Sequence, residues 1–323
     1  MSDVAIGVDV GGTKALALMV ARDGRVLGEL QAPTPHAHSE SLGAPTAQVV
    51  TGLIEELCAV QGRDASHVSI GVGLPGMMRR DGLLVYAPNL QTASGVELGP
   101  LLSASLRNAN VFCENDANCA ALAEHEWGAG RGIDDFVMVT LGTGIGGGVF
   151  ADGHLVRGRS GFAGEIGHMV VVARGAACHC GGHGCWERYA SGGGLNRLTR
   201  EAAIEGRLPA LVAQRGNAAA VRAEDVTAAA AQNLDEAVVI LREIGWWLAL
   251  GLANLAAILD CGHFVIGGGL SSASDLVLPA ARQYLVDLVE GHSARPEITV
   301  TSSMFGPRSG AMGAALVAFE RRA

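Results

Sequence analysis

The most regular feature of the sequence is a series of short apolar strands joined by turns that are rich in glycine. Residues 4–10 form a nearly continuous apolar run, and residues 11–14 (Gly-Gly-Thr-Lys) end it. A second apolar run, 15–21, leads through an Asp-Gly pair into a third, 25–30. Because Asp-Gly between apolar runs is typical of a hairpin turn, this pattern predicts three consecutive strands.

The same order of elements recurs in the second half of the chain. An apolar strand at 136–141 runs into Gly-Thr-Gly at 142–144. A strand through Val149 follows, and then Asp152-Gly153 and another short strand. Both halves have the order strand, Gly-Thr turn, strand, Asp-Gly turn and strand. This repeated order predicts an internal duplication.

The two glycine-rich turns are suited to binding phosphate. Turns without side chains let backbone N–H groups approach a phosphate, and Thr13 or Thr143 adds a hydroxyl donor. Asp9, at the end of the first strand, has the oxygen ligands to hold a metal ion through water. A single such turn is equally well explained as a tight hairpin. Two turns in matching positions favour a nucleotide shared by the two halves, although neither is a Walker loop or a Rossmann fingerprint, because strands follow both.

The remaining pattern alternates helices with a few strands, as expected for an α/β protein. Helices are predicted at 44–61, 98–107, 119–127, 190–206, 223–232, 234–258, 275–290 and 309–320, and further strands at 68–72, 111–114, 265–270 and 298–302.

Asp116 lies between the predicted strand 111–114 and the predicted helix 119–127. Asp at a helix N-terminus is a good N-cap and requires no functional explanation. A carboxylate at a strand-to-helix corner that faces a cleft is also a candidate general base. The pattern alone favours the cap.

Three of the seven cysteines, Cys178, Cys180 and Cys185, lie within eight positions, separated by glycines. Thiolates so close in sequence suit a tetrahedral zinc site that is structural, because four protein ligands close its shell. His168, His179 and His183 are candidates for the fourth ligand, and His168 is favoured because His179 is confined between two ligand cysteines. A disulfide is the alternative, but it would leave the third cysteine unexplained. The metal would fix Glu165 and Glu187 on either side of itself.

Composition narrows the class of protein. With 323 residues, 49% hydrophobic and 17% charged, the chain is long enough for two well-buried domains. A net charge of −9 argues against nucleic acid as the main partner. The apolar stretch 244–259 is shorter than a membrane span, so a buried helix is expected and no membrane partner. Scattered cysteines and the lack of a signal peptide favour the cytoplasm.

These features together resemble the ROK family (repressors, uncharacterised reading frames and sugar kinases), and within it the bacterial glucokinase branch. The resemblance spans nearly the whole chain. It is carried by the motifs DVGGTK at 9–14, ENDAN at 114–118, LGTGIGGG at 141–148, EIGH at 165–168, the CxC-x4-CWE segment 178–187 and IGGG at 266–269.

The resemblance implies an actin-like ATPase fold, a duplicated ribonuclease-H-like pair of α/β domains with an inter-domain cleft. It implies that Asp116 is the catalytic base. Sugar ligands are expected to be Gly76, Asn89, Asn115, Asp116, Glu165, His168 and Glu187. ATP is expected at Asp9, Gly11, Gly12, Thr13, Lys14, Gly142, Thr143, Gly144, Gly268 and Gly269. The zinc ligands carried over are His168, Cys178, Cys180 and Cys185.

The expected activity is that of an ATP-dependent hexokinase, which uses Mg²⁺ and phosphorylates the 6-hydroxyl of glucose. The alternatives are another hexose or amino sugar as substrate (fructose, mannose, N-acetylglucosamine or N-acetylmannosamine) and a sugar-responsive transcriptional regulator. A repressor would need an N-terminal helix-turn-helix, and the first strand already begins at residue 4. Residues 91–95 depart from the family pattern, because they lack the aromatic segment that family glucokinases often carry.

We expect two domains, residues 1–115 with the helix 306–323 packed back on them, and residues 116–305 with the zinc knuckle. We also expect a homodimer or homotetramer.

Overall fold

The computed structural model describes residues 3–35, 43–269 and 274–320. The last position of the predicted strand 265–270 lies outside these ranges. Two compact units are present: Met1–Met138, Gly147–Gly164 and Ser303–Ala323 form the first, and Val139–Gly146 with Glu165–Ser302 form the second. The predicted domain division at residue 116 stays a prediction.

The strands of the described residues are numbered along the chain. They are β1 (Val4–Val10), β2 (Lys14–Ala21), β3 (Val26–Pro33), β4 (Ser69–Leu74), β5 (Met77–Met78), β6 (Leu83–Tyr86), β7 (Val96–Glu97), β8 (Val111–Asn115), β9 (Phe136–Leu141), β10 (Ile145–Ala151), β11 (His154–Leu155), β12 (His263–Gly267) and β13 (Thr299–Ser302).

The α-helices of the same residues are numbered in the same way. They are α1 (Ala44–Val60), α2 (Leu98–Ser105), α3 (Asp116–Trp127), α4 (Glu187–Ala190), α5 (Gly192–Ile204), α6 (Pro209–Arg215), α7 (Ala223–Ala231), α8 (Asp235–Leu259), α9 (Ser274–Leu288) and α10 (Ser309–Glu320).

The two five-stranded sheets have the same topology. The first has the order β3-β2-β1-β4-β8, in which β1 runs antiparallel to β2 and parallel to β4. The second has the order β11-β10-β9-β12-β13, with β10 antiparallel to β11 and β12 parallel to β13. In each sheet the first three strands form a meander and two further strands are added beside the first. The predicted duplication is confirmed.

In the first unit, α10 lies directly on the backbone of the sheet. A Cβ atom on Gly7 would overlap the carbonyl oxygen of Ala311, and one on Gly71 would overlap that of Ala314. Glycine in β1 and β4 and alanine in α10 therefore permit a close approach that larger side chains would prevent. The opposite side of α10 packs on α3, and a Cβ on Gly313 would overlap the carbonyl oxygen of Cys119.

In the second unit, α8 is the central helix and packs against α4, α5, α7 and α9. By length and composition alone, Asp235–Leu259 would suffice to cross a membrane, but 56% of its most apolar window is buried within the protein. Trp186 occupies the space beside Gly251 and is fully buried. These contacts are those of a core helix, in agreement with the predicted buried helix.

Several local features differ from the predictions, among them the helix α6 (Pro209–Arg215), which was not predicted. The helix predicted from residue 119 begins at Asp116. The helix predicted at 190–206 is interrupted at Ser191, whose hydroxyl caps α5 by accepting a hydrogen bond from the Gly194 amide. The short antiparallel sheet β5-β6-β7 was not predicted, because its strands are too short to show an alternating pattern.

Candidate active site and metal centre

The turn between β1 and β2 is closed by backbone hydrogen bonds. The Gly11 amide donates to the Lys14 carbonyl at 2.9 Å, and the Thr34 hydroxyl donates to the Gly11 carbonyl at 2.7 Å. Asn89 lies beside it, since a Cβ on Gly12 would be 3.7 Å from the Asn89 Cβ. The turn therefore lies where the sequence predicts it. Phosphate binding by this turn stays a prediction.

Asp9 is the penultimate residue of β1 and lies next to the first turn of α10. A Cβ on Gly310 would lie 2.6 Å from the Asp9 carboxyl carbon, so only glycine leaves room there. Burial, followed by the negative charge of Asp116, raises the Asp9 pKa from 3.8 to about 7, and Lys14 lowers it.

The carboxylate of Asp116 lies at the first residue of α3. The predicted N-cap at this position is wrong: Asn115 is the cap, and its side-chain oxygen accepts from the Asn118 amide at 3.0 Å. Asn115 has extended backbone angles, whereas Asp116 is already helical, and only the residue before the helix can cap it. Asp116 is therefore released from capping, although its Oδ1 accepts from the Ala117 amide at 2.8 Å.

The Asp116 carboxylate has the properties expected of a general base. Its side chain is half-buried, and burial raises its pKa above 3.8 while backbone hydrogen bonds oppose the shift. A carboxylate with a raised pKa accepts a proton more readily than an ordinary aspartate. The hydroxyl of an alcohol is a proton donor suited to it.

A network of amides and charges fixes the residues around Asp116. Asn115 Nδ2 donates to the Gly76 carbonyl at 3.1 Å. Glu114, which is 6% exposed, accepts from the Asn115 amide at 3.0 Å and from Asn118 Nδ2 at 3.1 Å. Arg157 Nε donates to its other oxygen at 2.7 Å. Sequence reasoning missed Arg157, because it lies 43 positions from its partner and in no motif.

In the second unit, the turn between β9 and β10 is held by the start of α5. The Gly192 amide donates to the Gly142 carbonyl at 2.8 Å, and the Gly193 amide donates to the Thr143 carbonyl at 3.1 Å. The Ser191 hydroxyl donates to the same Thr143 carbonyl at 3.0 Å. The Thr143 side chain is exposed, which leaves its hydroxyl accessible to a ligand.

Gly268 follows β12 and packs against the end of β9. Its φ of +96° lies in the left-handed region, and a Cβ there would be 2.5 Å from the Leu141 carbonyl oxygen. A Cβ on Gly269 would meet open space. Gly268 therefore has to be glycine, and the adenosine contact of Gly268 and Gly269 stays a prediction.

The predicted metal ligands come together in the second unit. Ligand atoms of His168, Cys178, Cys180 and Cys185 all lie within 4.8 Å of one another. The sulfurs of Cys180 and Cys185 are 3.6 Å apart, and Cys178 Sγ is 3.7 Å from His168 Nδ1. Two ligands at about 2.3 Å from a tetrahedral zinc ion are roughly 3.8 Å apart, so the cluster fits zinc. Neither His179 nor His183 belongs to this group.

The two predicted carboxylates adjoin the cluster. Glu187 Oε1 accepts from Cys178 Sγ at 3.0 Å and lies 3.9 Å from His168 Nδ1. Glu165 Oε2 lies 3.9 Å from His168 Nε2, on the other side of the ring. Glu187 Oε2 also lies against Gly144, where a Cβ would overlap it. The cysteine cluster thus connects two carboxylates and the second glycine-rich turn.

Comparison with known proteins identifies a matching family and similar sugar kinases. The ROK family model matches residues 5–321. A glucokinase of Streptomyces coelicolor is 36% identical over 323 residues, covering 98% of each chain. An N-acetylmannosamine kinase of Citrobacter koseri is 30% identical, covering 97% of this chain and 98% of that one.

Among solved structures, a ROK family glucokinase from Streptomyces griseus in complex with glucose and AMPPNP superposes with a TM-score of 0.85. It is 35% identical in sequence, covering 98% of this chain and 99% of the other.

Proposed function

The chain belongs to the ROK family and has its actin-like fold, and we propose from this premise that it is an ATP-dependent kinase that phosphorylates the 6-hydroxyl of glucose. The observation that carries the proposal is the half-buried Asp116 carboxylate, which has a raised pKa and no capping role. The glucokinase relatives, at 36% and 35% identity, supply the identity of the sugar.

In the proposed reaction, Asp116 accepts the proton of the 6-hydroxyl as that oxygen attacks the terminal phosphorus of ATP. Bound Mg²⁺ supplies charge neutralisation on the phosphates, as in phosphoryl transfer generally. Asp9 is proposed to hold this ion through water. The contribution of this chain is to align the acceptor oxygen and to supply backbone donors in its glycine-rich turns.

The proposed sugar ligands have amide, carbonyl, carboxylate and imidazole groups, which match the hydroxyls of a hexose. Asn115 is already held in place by its hydrogen bond to the Gly76 carbonyl. A sugar that lacks one hydroxyl would leave such a polar group without its partner. In the first unit the proposed sugar ligands are Gly76, Asn89, Asn115 and Asp116, and in the second Glu165, His168 and Glu187.

The nucleotide is proposed to contact both glycine-rich turns. The residues assigned to it are Asp9, Gly11, Gly12, Thr13, Lys14, Gly142, Thr143, Gly144, Gly268 and Gly269. The zinc ligands proposed are His168, Cys178, Cys180 and Cys185, and the ion is structural because four protein ligands leave no open position.

A second candidate substrate is an amino sugar, N-acetylmannosamine. It is supported by the 30% identity to the kinase of that sugar. Residues 91–95, which differ from the family pattern, begin with a short 3₁₀ turn at Gln91–Ala93, and the Gly95 amide donates to the Leu84 carbonyl at 2.7 Å. The identity of the preferred sugar is the most specific part of the proposal.

We further propose a cytoplasmic homodimer or homotetramer that acts on sugar and ATP without nucleic acid or membrane. A transcriptional regulator remains the alternative from another class, and it would bind sugar without turnover.

A coupled kinase assay with ATP and Mg²⁺ over glucose, fructose, mannose, N-acetylglucosamine and N-acetylmannosamine tests the proposal. We expect the highest kcat/KM with glucose. A higher kcat/KM with an amino sugar would replace the substrate, and no turnover of any sugar would contradict the kinase.

A further inference from the structure

Arg188, in α4, carries a charge that no described carboxylate balances. Its Nε atom is buried and has no hydrogen-bond partner. Within residues 3–35, 43–269 and 274–320, no acidic side chain forms an ion pair with its guanidinium. Other arginines of this chain differ: Arg197 contacts the Glu201 carboxylate at 2.6 Å, and Arg157 contacts Glu114 at 2.7 Å. A partly buried cation without an anion is unfavourable, so Arg188 has unused capacity to bind one.

Two hydrogen bonds hold the main chain of Arg188, so the position from which its side chain extends is fixed. Its amide donates to the Cys185 carbonyl at 2.9 Å, and its carbonyl accepts from Arg197 Nε at 3.0 Å. Cys185 is one of the clustered thiols, so the metal centre and α5 both position this residue.

The Arg188 guanidinium lies close to the turn 142–144. A Cβ on Gly193 would be 3.7 Å from Arg188 Nη1 and 2.8 Å from the Thr143 carbonyl oxygen. Arg188 Nη1 and the Thr143 carbonyl oxygen therefore border the same small space beside Gly193.

Glu187, the acidic residue next in sequence, is committed to other partners. Its Oε1 accepts from Cys178 Sγ at 3.0 Å, and its Oε2 lies against Gly144. An anionic ligand would supply the charge that Arg188 lacks. The planar guanidinium presents donors that match the oxygens of a phosphate, and charge-assisted hydrogen bonds of this kind are among the strong ones.

We propose that Arg188 binds the polyphosphate chain of the nucleotide, beside the turn 142–144. This inference rests on the proposed kinase function, in which that turn contacts ATP. Arg188 then contributes to affinity for the phosphates and makes no contribution to recognition of the adenosine.

Binding measurements on Arg188→Met and wild type test the inference with three probes in the presence of Mg²⁺: ATP, inorganic tripolyphosphate and adenosine. We expect the Kd of ATP and of tripolyphosphate to rise at least about 10-fold in the variant, since a charge-assisted hydrogen bond is lost. The Kd of adenosine should stay unchanged. Arg188→Lys should fall between the two, because it keeps the charge but loses the planar donor pair.

Arg200→Met is the matched control, because Arg200 is an exposed arginine of α5 and the change in net charge is the same. Circular dichroism and zinc content confirm that the variants are folded. Equal Kd values of tripolyphosphate for wild type, Arg188→Met and Arg200→Met would overturn the inference. So would a Kd of adenosine that rises as much as that of ATP.

Failure of the proposed function gives a different result. If wild type binds tripolyphosphate through Arg188 but phosphorylates no sugar, the kinase proposal fails and the phosphate contact stands. If wild type phosphorylates glucose and Arg188→Met has an unchanged KM for ATP, only the Arg188 inference fails.

Discussion

Two carboxylates of the first unit, Asp9 and Asp116, are held in different states by their surroundings. Asp9 lies near the end of a buried strand, and burial followed by the negative charge of Asp116 raises its pKa to about 7. Burial raises the pKa of Asp116 as well, and backbone hydrogen bonds, one of them from the Ala117 amide, stabilise its ionised form. Asp116 is thus the better candidate for a base at neutral pH, and Asp9 for a cation ligand.

Replacing Asp116 by Asn should reduce kcat about 10²- to 10⁴-fold, the usual contribution of a general base. The amide has nearly the shape of the carboxylate but accepts no proton, so glucose binding should survive in part. A coupled assay for kcat and calorimetry for glucose affinity check both expectations. Asp287→Asn, an exposed position of α9, is the control. Near-normal kcat in Asp116→Asn would remove this residue from the role of base.

The raised pKa of Asp9 makes stability depend on pH. Its folded-state pKa of about 7 exceeds the ordinary value of 3.8, so the folded protein holds more protons than the unfolded chain between these values. The contribution of Asp9 to the free energy of unfolding therefore falls as pH rises from about 4 to 7, by at most about 1.4 kcal/mol per pH unit.

Asp9→Asn should remove that slope when nucleotide and Mg²⁺ are absent. Urea unfolding at pH 5, 6 and 7 measures it as the difference in unfolding free energy between wild type and variant. Asp275→Asn, an exposed carboxylate of α9, should leave the slope as in wild type. A parallel pH dependence for wild type and Asp9→Asn would show that Asp9 titrates normally.

At the scale of elements, α3 is anchored at both ends. Asn115 caps its start, and Glu124 in its last turns is fully buried. The Glu124 carboxylate accepts from the amides of Ala129, Met304 and Phe305 and from the hydroxyls of Ser303 and Ser309, at 2.6–3.2 Å. This single side chain joins α3 to the segment that leads into α10.

Glu124→Ala should lower the free energy of unfolding by about 3–5 kcal/mol, because buried donors lose their acceptor. Glu126→Ala is the matched control, since Glu126 is exposed on the same helix, and it should change stability by less than about 0.5 kcal/mol. Chemical denaturation at neutral pH measures both variants. Equal stability of the two variants would mean that water or other groups satisfy the donors.

The cysteine cluster should affect glucose binding through the residues that it holds in place. Cys180→Ser should lower zinc content and weaken glucose binding together, because the cluster fixes His168, Glu165 and Glu187. Metal analysis and calorimetry with glucose check this. Cys261→Ser, a buried cysteine of the same unit outside the cluster, should keep both properties. A metal-free Cys180→Ser protein with full glucose affinity would break the connection.

At the scale of the whole molecule, the sequence predicts the framework and misses contacts that depend on packing. Glycine-rich turns in matching positions were sufficient to predict the duplicated sheets, because hydrophobic runs and turn residues are local signals. The cysteine spacing predicted the cluster for the same reason. The cap at Asn115 was missed, since Asn and Asp both make good caps and only backbone angles distinguish them.

Contacts between distant residues left no local signal. Arg157 and Glu114, or Glu124 and Ser309, are brought together by the fold, and nothing in their neighbourhoods predicts the pairing. The need for glycine at Gly7 and Gly71 likewise arises from α10, more than two hundred positions away in sequence. Such residues are found only when the packing is known.

The central claim, that Asp116 deprotonates the 6-hydroxyl of glucose, is tested most directly by a crystal structure of this protein with glucose bound. The quantity to measure is the distance from the 6-hydroxyl oxygen to the nearest Asp116 carboxylate oxygen. We predict a hydrogen bond of about 2.6–3.2 Å. A 6-hydroxyl that lies beyond hydrogen-bond reach of Asp116, even through one water, would contradict the account.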